Sequence, residues 1–467
     1  MTDGRYHAGN GSPNPPAGPV ARRLRPLRCD APVTAPRPEP APGLPGLLDE
    51  LEWRGILHAS TPGLAERLAT GRTIAAYIGF DPSADSLHVG HLIPIFGLIR
   101  LQHRGGKPVA LVGGGTGMIG DPSHRSSERV MLSEADVRAN ADAIHAQLER
   151  FLDFTPGPTG AVMANNLDWL GPMTLIEYLR DVGSHFTIPY MLAKDSVQTR
   201  LERGLSFTEF SYMTLQAADF AHLYRTQGVE MQMGGADQWG NITAGLELIR
   251  RTSGEGEQSP AHGISYKLLL APSGQKFGKS EAGESVWLDP ARTTPYAFYQ
   301  YWLNLDDRDI PAYLRWFTTW TRDDIEALEA SAAERPDARE AQRRLAFDVT
   351  ARVHGEDEAQ AAVDVSVALF QREPVVDPVL LARIHAATAG PSAGADAVAG
   401  GIAVLLAETG LSASRGEARR LIVGGGVTVN GTRVTDAAAA VPEPIAGEWL
   451  EVRLGKRNRS VVRVLPG

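Results

Sequence analysis

The hydrophobic and polar positions of this chain predict alternating strands and helices from about Leu47 onward. The apolar runs Thr73–Phe80 and Pro108–Val112 predict two strands, and Leu92–Gln102 between them predicts a helix. Strands that alternate with helices favour a parallel, doubly wound sheet of the α/β class. Ligands of such sheets bind at the carboxyl ends of the strands, so we expect the functional site where these two strands end.

Residues 293–370 follow a different pattern, which predicts a helical domain. Trp and Tyr cluster at its start, and Ala/Glu/Arg-rich stretches follow, of which Arg322–Ala333 and Ala338–Val353 predict helices. Residues 371–400 are rich in Pro, Ala and Gly, and this composition predicts a linker.

The last part of the chain, residues 401–467, predicts a small α+β module. Ser414 and Glu417 have the spacing of a capping box, which predicts the start of a helix. Three basic side chains follow on that helix: Arg415, Arg419 and Arg420. Asn430-Gly431 separates two short alternating runs and predicts a two-residue hairpin.

A helix with exposed arginines followed by a hairpin resembles the S4 RNA-binding fold, and a generic small α+β domain is the alternative. Charge favours RNA binding. Residues 402–467 carry eight Arg, one Lys and six acids, hence +3, whereas the whole chain has a net charge of −9. Residues 1–43 also carry +3, so the residues between these two segments carry −15. RNA would therefore have to bind to local basic patches.

Composition also predicts the compartment and excludes some classes of site. The single cysteine, Cys29, rules out disulfides within the chain and cysteine-based zinc or iron–sulfur sites, and it fits a reducing cytosol. No apolar run reaches the ~18 residues of a membrane helix. We therefore expect a cytoplasmic protein without a membrane partner. Residues 1–43 hold ten of the 32 prolines and predict a disordered tail.

Lysine usage draws attention to one short motif, Lys276-Phe-Gly-Lys279-Ser280. The chain has six lysines and 40 arginines, and two of those lysines stand in this motif. Lysine provides a compact, mobile charge, whereas arginine provides a planar fork. The motif therefore suggests contact with a phosphate group.

The sequence His88-Val-Gly-His91 follows the first predicted strand and a turn that contains Asp81 and Ser83. A helix start there would offer free backbone N–H groups and its positive end to a phosphate. Gly90 has no Cβ, so a flat base could lie against the backbone. Two histidines near a helix start are, however, more often packing or solvent-facing residues.

Gly115-x-Gly117-x-x-Gly120 after the second strand fits the dinucleotide fingerprint and supplies an alternative, an NAD-dependent dehydrogenase. The next residue, Asp121, would repel a pyrophosphate. We interpret the glycines as a tight turn that directs Asp121 toward a cationic group.

Two further motifs carry polar residues. Tyr212, Gln216 and Asp219 lie at i, i+4 and i+7 and share one face of a helix, for which a solvated surface is the alternative. A second set follows a short predicted strand and opens a helix, with glycines that permit close approach of a ligand: Gln232, Gly234, Asp237 and Gln238.

These motifs, in this order, resemble the signatures of bacterial tyrosyl-tRNA synthetases, a class I family with a C-terminal S4 domain. The similar stretches are Tyr77–His91, Gly113–Ser123, Phe207–Phe220, Gly234–Asn241 and Lys276–Ser280. The resemblance implies a Rossmann-like catalytic domain in residues 44–265 with a dimer-interface insertion after Asp121, a mobile loop region in 266–292, a helical anticodon-binding domain in 293–370 and an S4 domain in 401–467.

The resemblance also implies the reaction. The carboxylate of L-tyrosine attacks the α-phosphorus of Mg·ATP to give tyrosyl-adenylate and pyrophosphate, and the tyrosyl group then moves to the 3′ end of tRNA(Tyr). ATP and Mg²⁺ take part as substrate, and neither a protein-bound metal nor an organic cofactor is implied. The implied assembly is a homodimer.

Residue roles follow from the same resemblance. Tyr77 and Asp219 resemble the pair that binds the phenol, and Tyr212, Gln216 and Asp121 resemble the cage around the ammonium group. The implied catalytic set is His88, His91, Lys276, Lys279 and Ser280. The implied tyrosine-binding set is Tyr77, Gly79, Asp121, Tyr212, Gln216, Asp219 and Gln238. The implied ATP-binding set is Asp81, Ser83, His88, Gly90, His91, Gln232, Gly234, Asp237 and Lys279. The RNA-binding set is Arg415, Arg419 and Arg420.

Three other functions share parts of the pattern. Nucleotidylyltransferases with an HxGH motif share the fold but are usually shorter and lack an S4 domain. An RNA-binding paralogue without activity would be expected to lose His88, His91 or the lysines, which are all present. A tryptophanyl enzyme should not keep Tyr77 together with Asp219.

Overall fold

The computed structural model describes residues 43–120, 133–194, 197–198, 201, 204–254, 259–268, 277, 285–455 and 458–466. The expected disordered tail before residue 43 lies outside the described residues. So do four of the expected site residues: Asp121, Lys276, Lys279 and Ser280.

A mixed sheet forms the centre of the first domain. Its strands are β1 (Leu57–Ser60), β2 (Ala75–Phe80), β3 (Lys107–Val112), β4 (Val162–Asn165), β5 (Val229–Gly235) and β6 (His262–Tyr266). They lie in the order β1-β6-β5-β2-β3-β4, and only the β1–β6 pair is antiparallel. The strand order reverses between β2 and β5, where doubly wound sheets bind their ligands. The predicted α/β fold is confirmed.

Helices cover both faces of this sheet. They are α1 (Leu47–Trp53), α2 (Leu64–Ala69), α3 (Leu92–His103), α4 (Gly114–Ile119), α5 (Glu134–Leu148), α6 (Leu167–Leu170), α7 (Leu175–Glu177), α8 (Ile188–Leu192), α9 (Phe207–Gln227) and α10 (Trp239–Ser253). Successive residues of a strand point to opposite faces. Ile78 and Phe80 of β2 therefore join a core with α3, while Tyr77 joins a second core beneath α9 and α10.

The helical region packs against the α3 side of the sheet. Its helices are α11 (Pro295–Leu303), α12 (Ile310–Trp316), α13 (Arg322–Glu334), α14 (Glu340–His354) and α15 (Glu356–Phe370). The two helices predicted from sequence correspond to α13 and α14. Trp302, Phe317 and Trp320 are fully buried in the same core as Phe96 of α3, so the helical region and the first domain share one core.

Residues 371–400, where we expected a linker, contain α16 (Pro378–Ala387), β7 (Ser392–Ala393) and α17 (Ala395–Ala399). The Asp377 side chain accepts a hydrogen bond from the N–H of Val379 at 3.0 Å and so caps α16. Leu381 and Ile384 of this helix are completely buried. The proline and glycine content that suggested a linker marks helix boundaries here, with Pro378 in the first turn of α16 and Gly394 before α17.

The C-terminal module is a small sheet covered by helices. It contains α18 (Ile402–Glu408), α19 (Arg415–Val423), β8 (Val427–Val429), β9 (Thr432–Val434), β10 (Trp449–Leu454) and β11 (Asn458–Val464). The strand order is β7-β11-β10-β8-β9. Asn430 and Gly431 have φ angles of 46° and 79°, as a type I′ turn requires, so the predicted hairpin is confirmed.

The predicted capping box at α19 forms only in part. The Ser414 hydroxyl accepts the N–H of Glu417 at 3.2 Å, as expected. The Glu417 carboxylate accepts the N–H of Ala413 at 2.7 Å, one residue before the capping position. Both contacts still stabilise the start of the helix. Within the described part of the chain, no helix has the length and apolar character needed to cross a membrane.

Candidate active site

A cleft of about 450 Å³ opens at the carboxyl ends of β2 and β5, at the switch point of the sheet. Most of the expected site residues line it: Tyr77, Gly79, Asp81, Gly90, His91, Tyr212, Gln216, Asp219, Gln232, Gly234, Asp237 and Gln238. His88 does not line the cleft itself but packs against His91, which does. Ser83 does not line it either, because it lies on the exposed side of the turn after β2.

Helix α9 forms one wall of the cleft. Its start is fixed by a reciprocal capping box between Ser206 and Glu209, and Gly228 ends it in the left-handed conformation. Tyr212, Gln216 and Asp219 all line the cleft, so the predicted common face of the helix exists and faces the cleft.

Asp219 lies at the buried end of the cleft and is 1% exposed. One carboxylate oxygen accepts the Nδ2–H of Asn166 at 2.9 Å, and the other accepts the Nε1–H of Trp169 at 2.8 Å. Burial raises the pKa of Asp219 to about 7, although both hydrogen bonds act in the opposite direction. The carboxyl group is therefore held in place and is poised between its two protonation states near neutral pH.

The Tyr77 hydroxyl is the second polar group at this end. Tyr77 is 1% exposed, and its hydroxyl contacts no hydrogen-bonding atom among the described residues. Burial and the nearby Asp219 raise the pKa of Tyr77 well above 10, so the phenol stays protonated. Its ring packs against Phe220 with a centroid separation of 5.3 Å. A hydroxyl and a carboxyl group therefore both line this cleft as partners for a polar ligand atom.

Asn166 and Trp169, which position Asp219, were missed by the sequence analysis. Asn166 follows β4 and also donates to the Thr116 hydroxyl at 2.9 Å, while its Oδ1 accepts the N–H of Gly115 at 2.7 Å. The available signal was the pair Asn165-Asn166 after a short apolar run, because polar residues at the end of a parallel strand often face the ligand.

Two buried amide oxygens belong to other residues that line the cleft. Gln216 Oε1 and Gln232 Oε1 are buried without a hydrogen-bond partner among the described residues. The Tyr212 hydroxyl donates to Asp81 Oδ1 at 3.5 Å. Oxygen acceptors of this kind suit an ammonium group, which donates hydrogen bonds only.

The glycine run after β3 serves close packing and does not form a nucleotide loop. A Cβ on Gly113 would lie 2.7 Å from Asp81 Oδ1, and one on Gly114 would collide with the Asn165 side chain. The N–H of Gly115 is already used by Asn166. Glycines at these positions therefore permit close packing of the segment after β3 against Asp81 and Asn165.

The segment after β5 lines the same cleft. The Gln238 side chain donates from Nε2 to Asp237 Oδ2 at 3.1 Å and accepts from Asn241 Nδ2 at 3.0 Å. A Cβ on Gly234 would lie 3.0 Å from the Gln238 side chain, so glycine lets the strand end and this side chain approach each other.

The two histidine rings at the start of α3 both accept hydrogen bonds through Nδ1. The N–H of Gly90 donates to His88 Nδ1 at 3.0 Å, and the N–H of His88 donates to His91 Nδ1 at 3.1 Å. A neutral ring with an accepting Nδ1 carries its proton on Nε2. Burial, assisted by His88, lowers the pKa of His91 to about 3. His91 is therefore neutral at pH 7 and is an Nε2–H donor.

The predicted free backbone N–H groups at this helix start are not present. Val89 N–H donates to the carbonyl of Val286 at 3.0 Å, and His91 N–H donates to the carbonyl of His88 at 2.8 Å. The N–H groups of the other two residues of the turn bond to the rings. The pairing with residue 286 is a long-range contact that local sequence does not reveal.

Gly90 also has a role other than the expected one. A Cβ at this position would lie 2.7 Å from Cε1 of His88, so the side left open by glycine is filled by that ring. The rings of His88 and His91 lie 4.1 Å apart between centroids. The glycine thus permits the paired arrangement of the two imidazoles.

Phe277, the described residue of the lysine motif, also lines the cleft. Its ring stacks on Phe317 at 5.1 Å and contacts Tyr313 edge-on at 5.4 Å, both in the helical region. Among the described residues, no group of three or more His, Cys, Asp or Glu side chains could hold a metal ion.

The expected RNA-binding arginines share helix α19. All three are exposed, and Arg415 donates to Glu408 at 3.0 Å. They lie far along the chain from the cleft and form part of the C-terminal module, not of the site at the sheet.

Comparison with known proteins identifies the family. The chain matches the family of tRNA synthetases class I (W and Y) over residues 69–371 and the S4 domain over residues 401–443. A tyrosine–tRNA ligase from Anaeromyxobacter dehalogenans (strain 2CP-C) is 51% identical over 426 residues, covering 90% of this chain and 99% of the relative. One from Geobacillus stearothermophilus is 46% identical over 422 residues, covering 89% and 99%.

Solved structures give the same assignment. The C-terminally truncated mitochondrial tyrosyl-tRNA synthetase of Coccidioides posadasii has a TM-score of 0.59 and 31% identity, covering 68% of this chain and 90% of that chain. The Aspergillus nidulans counterpart has a TM-score of 0.60 and 29% identity, covering 68% and 92%. Because the family match extends over more than half of the sequence, this chain belongs to the class I tRNA synthetases of the W and Y type, with an S4 domain at its C-terminal end.

Proposed function

We propose that this protein is a tyrosine–tRNA ligase, which activates L-tyrosine with ATP and transfers it to tRNA(Tyr). The relatives that match nearly the whole of their own length carry this name. The observation that carries the choice of amino acid is the pair of Tyr77 and Asp219 at the closed end of the cleft.

The phenol of tyrosine fits this pair chemically. Its hydroxyl can donate to the Asp219 carboxylate and accept from the Tyr77 hydroxyl, which gives the Tyr77 hydroxyl a partner and Asp219 a further donor. Phenylalanine would leave the Tyr77 hydroxyl unpaired and would offer Asp219 no donor. Tyrosyl-tRNA synthetases are the established example of this cost, since they reject phenylalanine by a factor of ~10⁵ without editing. The indole of tryptophan has no hydroxyl to place between the two groups.

The other end of the amino acid lies toward the buried oxygens of Gln216 and Gln232, which we propose as acceptors near the ammonium group together with Tyr212. Asp121, outside the described residues, is proposed for the same cage from sequence alone. This orientation directs the carboxylate toward the histidine-bearing turn and the segment with Asp237 and Gln238.

Activation requires in-line attack on ATP and neutralisation of charge on the leaving pyrophosphate, and it needs no general base. We propose that the neutral Nε2–H groups of His88 and His91 donate to the triphosphate as charge develops. Lys276, Lys279 and Ser280 are proposed to contact the pyrophosphate. Mg²⁺ would enter with ATP as part of the substrate and supply further charge neutralisation.

We also propose a homodimer. Several large apolar side chains between β4 and the first turn of α9 are strongly exposed: Leu175 (69%), Ile176 (69%), Ile188 (57%) and Phe207 (77%). An accumulation of exposed large apolar side chains in one segment is what an interaction site requires. A homodimer predicts a mass in solution of twice 50.2 kDa by light scattering. Ile176→Glu should shift that mass toward one chain, and an unchanged dimer would place the interface elsewhere.

A cytoplasmic location is proposed because tRNA and ATP, the proposed substrates, are available there.

The experiment that tests the function is exchange of labelled pyrophosphate into ATP, with tyrosine, phenylalanine or tryptophan added. We expect exchange with tyrosine only. Exchange with tryptophan would assign the other branch of the family, and no exchange with any amino acid would favour an RNA-binding paralogue.

A further inference from the structure

Three buried arginines and one partly buried glutamate join α1 and α3 to the helical region. Glu50 belongs to α1, which Arg54 directly follows, and Arg100 belongs to α3, which Arg104 directly follows. Arg54 Nε and Arg104 Nε donate to the two oxygens of Glu50 at 2.8 and 2.7 Å. Arg100 Nε approaches the same carboxylate at 3.8 Å. Burial raises the pKa of Glu50, but the three arginines together hold it below its usual range.

The arginines of this cluster bind the carbonyl groups at the end of α12. Arg100 Nη2 donates to the carbonyls of Arg315, Trp316 and Thr318 at 3.2, 2.7 and 3.2 Å. These oxygens lie at a helix C-terminus, where the helix itself supplies no N–H partner and the helix dipole is negative. A guanidinium is therefore a suitable cap, and here it is provided by a different part of the fold.

Phe96, one turn before Arg100 on α3, adds a second contact to the same region. It is completely buried and meets Phe317 edge-on with centroids 6.2 Å apart. The guanidinium of Arg352, from α14, lies 5.8 Å from the Phe96 ring centroid. The carboxyl half of α3 is therefore fixed to the helical region by both packing and hydrogen bonds.

Stability alone does not explain Arg100. It is 2% exposed, and its Nε and Nη1 lack a hydrogen-bond partner among the described residues. Burial and the adjacent Arg54 lower its pKa to about 9. Replacing buried ionic groups by packed apolar residues is often neutral or stabilising. An arginine with two unpaired nitrogen atoms at this position suggests that its contacts serve to place α3 against the helical region.

The opposite end of α3 carries the chemistry of the cleft. His91 directly precedes Leu92, the first residue of α3, and it lines the cleft with Ile93 and Pro94. Arg100 lies nine positions after His91, roughly 14 Å along a helix. We propose that Arg100 is a positioning residue, which fixes α3 against the helical region and thereby sets the location of the His88 and His91 donors. This role in catalysis rests on the proposed function.

Arg54 provides a matched control for this proposal. It binds the same carboxylate and two of the same carbonyls, Arg315 and Thr318, at 2.8 and 3.2 Å. It follows α1, however, which carries no residue of the cleft. Arg54→Lys and Arg100→Lys should therefore lower the melting temperature to a similar extent, while only the second change reaches the histidines.

The test measures amide hydrogen exchange of residues 88–91 and the kinetics of tyrosine-dependent pyrophosphate exchange in the full-length protein. In Arg100→Lys we expect about tenfold faster amide exchange at the histidine turn and about tenfold lower kcat, with the KM for tyrosine within about twofold of its original value. Arg54→Lys should change neither amide exchange at this turn nor kcat. Equal effects of the two variants on both measurements would overturn the proposal.

A second α3 variant guards against loss of folding in Arg100→Lys. Phe96→Leu keeps the charge cluster and removes the edge contact with Phe317, so it should also accelerate amide exchange at residues 88–91. Unchanged exchange in both α3 variants would contradict the positioning role. The amide exchange measurement does not depend on activity. A protein that is inactive with every amino acid would refute the proposed function, and amide exchange would still show whether Arg100 positions the turn.

Discussion

At the residue scale, the cleft combines two buried polar groups that differ in their hydrogen bonding. Asp219 is held by Asn166 and Trp169, so its position is fixed whichever protonation state it adopts. Tyr77 presents a hydroxyl that no described side chain uses. Each group tolerates burial poorly alone, and each is a specific partner for a ligand hydroxyl.

Removing the Tyr77 hydroxyl should reduce selectivity more than stability. In Tyr77→Phe we expect kcat/KM for tyrosine to fall about tenfold, since one hydrogen bond to the bound phenol is lost. The value for phenylalanine should stay nearly constant, because that substrate has no hydroxyl to bond. Pyrophosphate exchange with each amino acid measures the ratio. An equal loss for both substrates would argue against contact between Tyr77 and the phenol.

Asp219 should make the stability of the unliganded protein depend on pH. Its pKa is raised from 3.8 to about 7 by burial, so the folded state binds more protons than the unfolded state between these values. The free energy of unfolding therefore falls as pH rises through this range. From pH 5 to pH 8, the wild-type protein should lose about 2–3 kcal/mol more than Asp219→Asn. Urea unfolding of both proteins at the two pH values measures this, and a pH-independent difference between them would contradict the shift.

At the element scale, the sequence predicted structure best where the signal is local. The spacing of Tyr212, Gln216 and Asp219 correctly placed all three on one helix face, and the structure shows that this face lines the cleft. The position of Asn166 at a strand end carried a signal, but the hydrogen-bond partners of Asn166 and Val286 could not be predicted, because they are distant in the chain. The fold and most of the cleft were therefore accessible from periodicity and motifs, whereas the hydrogen bonds that orient the site required the tertiary contacts.

The hairpin between β8 and β9 allows an element-scale prediction. Gly431 has a φ of 79°, and a Cβ there would lie 2.9 Å from the Pro374 side chain. Gly431→Ala should thus destabilise the C-terminal module by backbone strain of about 1 kcal/mol plus the cost of displacing the proline. Gly447→Ala is the control, since its φ is 75° but its Cβ would meet nothing within 4 Å.

Thermal unfolding of the two glycine variants separates backbone strain from the cost of displacing the Pro374 side chain. Gly431→Ala should have the lower melting temperature, and both should keep the tyrosine-dependent exchange of the unaltered protein, because neither position lies near the cleft. Equal melting temperatures would mean that Pro374 moves aside without cost.

At the scale of the whole molecule, the C-terminal module is attached to the helical region by a second buried charge cluster. Glu451 is completely buried and pairs with Arg459 at 2.9 Å, while Arg459 also donates to the carbonyl of Gln371 at 3.0 Å after α15. Trp449 of β10 packs in the same core as Leu381 of α16. The helical region is therefore held by arginine–carbonyl contacts on two sides, toward the cleft and toward the module.

Charge is distributed unevenly along this chain, and this leads to a prediction for RNA. The middle of the chain carries −15 and residues 402–467 carry +3, so a polyanion should be attracted to the module and repelled by the middle of the chain. Arg419→Ala combined with Arg420→Ala should weaken tRNA binding and reduce its salt dependence, because fewer phosphate contacts release fewer counterions. Pyrophosphate exchange should be unaffected.

The control is Arg138→Ala, whose exposed side chain on α5 already pairs with Glu134 at 2.8 Å. Binding of tRNA(Tyr) titrated at several salt concentrations tests the difference. A salt slope unchanged in the double variant would place the RNA on another surface, and an equal change in Arg138→Ala would mean that tRNA responds to overall charge and not to α19.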